Sequence, residues 1–121
     1  MEQRWKWHQA GYLEYPDGKA TATGYAGMGE GKNNPALEAV ANIGPLPRGL
    51  YTITGPPCIH PHCGQFTLRL EPDSTNEMHG RAGFLLHGDN ATGTASQGCI
   101  VLPRKVREEI WASGIRRLEV V

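Results

Sequence analysis

Gly83-Phe84-Leu85-Leu86-His87-Gly88-Asp89-Asn90-Ala91-Thr92-Gly93-Thr94-Ala95-Ser96-Gln97-Gly98-Cys99-Ile100-Val101-Leu102-Pro103 holds two short apolar runs apart by a polar loop. Phe84 to His87 is short, apolar and bounded by glycines, as a buried strand is, and Gly98 to Leu102 reads the same way. Pro103 suits the first position of a helix, Val106 and Ile110 share one face at i and i+4, and Gly114 supplies the stop. The spacing therefore predicts two buried strands and then one helix near residues 103–113.

Outward from that stretch the pattern is strand after strand. Arg116 to Val121 reads as a closing strand, and Phe66 to Glu71 and Leu50 to Thr54 as two more, the second entered from Gly44-Pro45-Leu46-Pro47-Arg48-Gly49. That entry segment cannot be regular structure, because proline lacks the donor that a ladder needs. Near the N-terminus Trp5, Trp7 and Gln9 alternate with Lys6 and His8, and Leu13 and Tyr15 flank Glu14, the period of a half-buried strand. Pro16-Asp17-Gly18 reads as a hairpin turn before a strand at Ala20 to Tyr25. Ala26 to Pro35 has no periodicity and reads as an exposed loop, followed by at most one helical turn at Ala36 to Val40. Six to eight short strands and one helix, with no repeat and no linker, predict a mainly β sandwich or barrel built as a single domain, residues 1–121.

Composition narrows the functions. Lys plus Arg and Asp plus Glu are 12 each, so the formal charge is zero and the basic field of a nucleic-acid or anionic-membrane binder is missing. Glycine and proline number 16 and 9 among 121 residues, an excess that implies many turns and argues against a helical bundle. The longest hydrophobic run is Cys99 to Leu102, far short of the roughly 20 residues of a spanning helix or the 7 or more of a signal peptide core. Neither membrane insertion nor a cleavable export signal is expected.

The chemistry is expected where the two buried strands meet. The loop from Gly88 to Gly98 is 11 residues long, well beyond an ordinary hairpin connection, and it contains nothing that could build a core. If the two strands are neighbours, His87 and Cys99 meet at one rim, where an imidazole can take a thiol proton and shift the sulfur toward the reactive thiolate. Gly98 lets a substrate approach the backbone, and its amide with that of Cys99 is a candidate pair of oxyanion donors. The opposing reading is an inert cysteine buried as a small hydrophobe. Arg81 and Asp89 flank the His87 strand and read either as a solvated surface pair or as a grip on charged substrate groups. Cys58-Ile59-His60-Pro61-His62-Cys63 invites a zinc reading, but four ligands within six residues strain a tetrahedron and Pro61 stiffens the middle. A local disulfide or two free thiols fit that segment better.

Ser96-Gln97-Gly98-Cys99-Ile100 preceded by Phe84-Leu85-Leu86-His87-Gly88-Asp89 resembles the active-site signature of the L,D-transpeptidase catalytic domain, in particular a small branch found among type VI secretion effectors. Gly29-Glu30-Gly31-Lys32-Asn33-Asn34-Pro35, the Gly44 to Gly49 segment and Gly80-Arg81-Ala82-Gly83 extend the resemblance from about residue 5 to the C-terminus. The resemblance implies an L,D-transpeptidase-like β fold and a cysteine enzyme acting on the peptide stems of peptidoglycan. Cys99 would attack the carbonyl between meso-diaminopimelate and D-Ala, His87 would serve as base and then acid, and the Gly88 carbonyl would orient the imidazole. Gly98, Ser96, Gln97, Asp89 and Arg81 would bind the oxyanion or the substrate, with no metal and no organic cofactor. Resolution by water gives an L,D-carboxypeptidase and by an amine an L,D-transpeptidase. Gln97 stands where most of the family has a histidine, and Ile100-Val101-Leu102 lacks the usual Arg or Asn, so acceptor recognition is where this chain departs. The resemblance further implies an antibacterial effector made in the cytoplasm and acting in the periplasm of a target bacterium. Its partners would be a secretion-system component and a periplasmic immunity protein. The alternative from another class is a non-catalytic wall-binding or phage structural module.

Overall fold

The computed structural model describes residues 3–121. Its strands are β1 (Trp5–His8), β2 (Tyr12–Glu14), β3 (Thr21–Thr23), β4 (Tyr25–Ala26), β5 (Gly49–His60), β6 (Gly64–Pro72), β7 (Leu85–His87), β8 (Ile100–Val101) and β9 (Arg117–Val120), with one α-helix, α1 (Arg104–Ser113), and two single 3-10 turns, Gly29–Gly31 and Pro35–Leu37. All nine strands join one mixed sheet in the order β3-β2-β1-β9-β5-β6-β7-β8-β4. The expected mainly β architecture with a single helix is what forms.

The two outermost strands, β3 and β4, are consecutive in the chain and separated only by Gly24. Residues 21–26 thus leave one end of the sheet and enter the other, pairing with β2 on one side and β8 on the other. Gly24 makes this possible: its amide donates to the Gly11 carbonyl at 3.0 Å, and a Cβ there would collide with the Val101 carbonyl oxygen. The sheet is closed in the manner of a barrel by one short kinked segment, which leaves no long unpaired edge. Inside lie Trp5, Trp7, Leu13, Tyr51, Ile53, Leu68, Leu86, Ile100 and Leu118, each at most 2% exposed. Each such side chain contributes about 1.5–3 kcal/mol of burial.

Several details differ from expectation. The N-terminal alternation is cut by a turn in which the Gly11 amide bonds the His8 carbonyl at 2.9 Å, giving two strands where the pattern reads almost continuously. β5 runs on past Thr54 to His60, because β6 is long enough to pair with it and a register shift between Thr54 and Cys58 absorbs the two prolines. Residues 26–35 are not uniformly exposed: Gly27 and Gly31 are buried and the Met28 amide bonds the Ile43 carbonyl at 2.8 Å. Pro103 caps the helix from outside at ψ 150°, so the helix proper starts one residue later, while Gly114 ends it at φ 72° as expected. Among the described residues, no helix is long and apolar enough to cross a membrane.

Candidate active site

β7 and β8 run parallel, with Leu86 opposite Ile100 and His87 opposite Val101. Leu86 and Ile100 point into the core with no exposure, so strand alternation turns His87 and Cys99 to the opposite face. Cys99 precedes Ile100 and His87 follows Leu86, which sets the two two residues apart along adjacent strands, a separation of about 8 Å between their Cα atoms. The connection is thus parallel rather than a hairpin, and the long polar loop is the crossover. Tyr25 of β4 pins this loop: its hydroxyl donates to the Asp89 carboxylate and accepts from the Ala95 amide at 2.9 Å. Burial and the bond to Asp89 push the phenol up to about 12.

Ser96 is fully buried and uses all its hydrogen-bonding capacity on the backbone around Cys99. Its hydroxyl donates to the Cys99 carbonyl at 2.6 Å and accepts from the Gly27 and Gly98 amides at 2.9 and 3.0 Å. The Gly98 amide, expected as an oxyanion donor, is therefore already committed to Ser96. The backbone amides of Leu85 and of Cys99 itself act on the thiol in the direction that favours its charged form. Gly98 sits at φ 141°, and a Cβ there would fall 2.5 Å from a nitrogen of Arg81 and 2.9 Å from the Phe84 ring, so the turn before Cys99 accepts only glycine.

The imidazole and thiol are both neutral at rest. His87 is 2% exposed and its Nδ1 lies 2.8 Å from the Gly88 carbonyl oxygen, which can only accept, so Nδ1 carries the proton and Nε2 is the free acceptor. Burial pushes its titration down, and the Arg107 charge adds to that, against the Gly88 bond and Asp89. Burial likewise pushes the Cys99 thiol up to about 11, although the Leu85 amide pulls the other way. Desolvation weighs against a standing thiolate in this state, and no hydrogen bond links thiol and imidazole among the described residues. A proton can still pass to Nε2 once a substrate draws the groups together.

Cys99 opens into a cleft of about 330 Å³ walled by Gly80, Arg81, Gly83, Phe84, Gln97 and Asn42. Arg81 is neither half of a surface pair with Asp89 nor free to grip a carboxylate by its full fork. Its guanidinium donates to the carbonyls of Glu38, Pro45, Gly44 and Gln97 at 2.6, 2.8, 3.0 and 3.2 Å, tying three segments into the cleft wall. Asp89, bonded to Tyr25 and the Asn90 amide, borders a different cleft with Arg104 and Arg107. Gln97 is exposed beside Cys99.

The Cys58 to Cys63 segment forms the end of the β5–β6 hairpin and is closer to the site than its sequence distance suggests. Its cysteines and Cys99 are free thiols, and the amides of His62 and Cys63 both donate to Nδ1 of His60 at 3.1 Å. His60 acts electrostatically on His87, and Cys63 on Cys99. Sequence reading missed His60, Tyr25 and Arg107 as neighbours of the site. Only Arg107 had a signal of sorts, a cation beside the apolar Val106–Ile110 face.

Sheet and cleft define a mainly β protein with a buried imidazole and a half-buried thiol beside one another on neighbouring chain segments. Residues 20–121 match the Tlde1 domain, and the chain belongs to that family, one of type VI secretion effectors. No curated protein matches the chain.

Proposed function

We propose that the chain is a single catalytic domain, residues 1–121, that cleaves or exchanges the terminal D-Ala of peptidoglycan tetrapeptide stems through a Cys99 acyl-enzyme. The observation that carries this reading is the His87 imidazole, held by the Gly88 carbonyl with Nε2 unprotonated, on the strand beside Cys99. Nε2 takes the Sγ proton as sulfur attacks the carbonyl carbon between meso-diaminopimelate and D-Ala. The carbonyl electrons move to oxygen, and the N–H groups of Leu85 and Cys99, which act on the thiol, are the candidate backbone donors for that charge. Collapse expels D-Ala, whose amine receives the proton from His87, and leaves a thioester. Water then restores the enzyme as an L,D-carboxypeptidase, or an amine does so as an L,D-transpeptidase. Delivery by a secretion system, action in the target's periplasm and neutralisation there by an immunity protein complete the reading.

The raised thiol favours one rival, a wall-binding module in which Cys99 is inert. Incubating the purified protein with diaminopimelate-type tetrapeptide muropeptides and weighing the products separates them. Loss or exchange of the terminal D-Ala, abolished by Cys99→Ala in a protein of unchanged circular dichroism, is the expected result. Unchanged stems, or turnover by Cys99→Ala, would overturn the proposal.

A further inference from the structure

A buried cation lies behind the site and takes no part in the steps above. Arg107 of α1 is 5% exposed, and its hydrogen bonds go to backbone carbonyls: Nε to Leu102 at 3.0 Å, Nη1 to Gln65 at 2.8 Å and to Phe66 at 2.9 Å. Its remaining nitrogen, Nη2, lies against Gly88, where an added Cβ would stand 2.8 Å away. Burying a guanidinium is costly, and an apolar side chain of the same volume would fill a plain packing position at less expense. The contacts show what the charge does instead. Leu102, whose carbonyl holds Arg107, donates its amide to the His87 carbonyl at 3.0 Å. Phe66 sits at φ 54°, a strained region for an aromatic residue, and its carbonyl is one of those that Arg107 grips. The guanidinium therefore bonds the backbone just after β8 and at the start of β6, while its Nη2 packs against Gly88, the residue whose carbonyl holds Nδ1.

We propose that Arg107 is the positioning residue for His87, clamping the Gly88 peptide so that its carbonyl stays on Nδ1 and Nε2 stays turned outward as an acceptor. It rests on the reading of His87 as the base, but its structural half stands without it. The groups that face the imidazole are Arg107 from α1, His60 from the β5–β6 hairpin and Asp89 from the following loop. Arg107 opposes protonation and Asp89 favours it, so removing Arg107 leaves no cation on the imidazole's side to oppose the carboxylate.

The test compares the full chain with Arg107→Met, which keeps the stem and removes the charge and the fork, and with Arg107→Lys, which keeps the charge alone. The His87 ring is followed by nitrogen-15 NMR across pH, together with kcat and KM on tetrapeptide stems. Arg107→Met should raise the His87 midpoint and mix its tautomers, lowering kcat about 10- to 100-fold, as loss of an orienting partner does, with little change in KM. Arg107→Lys should keep most of the midpoint but still lose the single tautomer. Gly88→Ala, which crowds Nη2 from the other side, should also mix the tautomers; if Arg107→Met does not fold, the Lys and Gly88 variants decide. A folded variant set with the wild-type midpoint and the wild-type tautomer would overturn the proposal. Wild-type protein that leaves stems intact while its variants show the NMR changes would sink the enzymatic reading and keep the positioning role.

Discussion

Ser96→Ala removes one hydroxyl and strands three backbone groups. The Gly27 and Gly98 amides lose their acceptor and the Cys99 carbonyl loses a 2.6 Å donor, all around a side chain with no solvent exposure. A buried donor or acceptor left unpaired costs about 1–3 kcal/mol, and the cavity left by a single oxygen is too small to admit a water that would serve all three. Taking the lower half of that range for each group gives about 3–6 kcal/mol. In a chain of this size each kcal/mol moves the midpoint by roughly 3–6 °C, so Tm should fall by about 10–35 °C. Urea unfolding of wild type and variant at neutral pH measures the difference directly, provided the slope against denaturant stays the same. A loss below about 1 kcal/mol would refute the reasoning. Full stability combined with lost turnover would return Ser96 to the role of a substrate or oxyanion contact.

Other expectations follow from the same site. Gly98→Ala must place a methyl at φ 141° against Arg81 and Phe84, so it should destabilise the fold by about 2 kcal/mol or more in urea and distort the turn before Cys99. His87 resists protonation when folded, so below its ordinary value of 6.5 the unfolded chain binds a proton that the native chain does not. Stability should therefore be level above that pH and fall as pH drops through it, and His87→Gln should flatten the fall; an unchanged slope would contradict the burial argument. The Cys99 thiol, pushed up to about 11, should react with iodoacetamide more slowly at pH 7 than a thiol in the unfolded chain, with a rate still climbing above pH 9. A rate already level by pH 8 would mean a thiolate is present at rest.

Residues near one another in sequence determined a good part of this protein. Alternation at Trp5 to Trp7 and Phe66 to Glu71, glycine and proline at the turns, and Pro103 with Gly114 around Val106 and Ile110 specify a mainly β chain with one helix, because pleat, turn and cap are set by a few adjacent residues. The length and polarity of the Gly88 to Gly98 loop likewise singled out His87 and Cys99. Tertiary structure alone decided which strands are neighbours. β9 inserts between β1 and β5, and the sheet closes at Gly24, because pairing of distant strands depends on a register that no local pattern encodes. It also decided the roles of the polar residues. Arg81 reads as a surface charge until four carbonyls converge on it, Ser96 as a site hydroxyl until its bonds are occupied, and Arg107 shows only as a cation beside the Val106–Ile110 face until the carbonyls of Leu102, Gln65 and Phe66 converge on it. The protonation of Cys99 and His87 belongs to the same class, because desolvation is set by which remote segments exclude water from the two groups, and that exists only once the chain has folded.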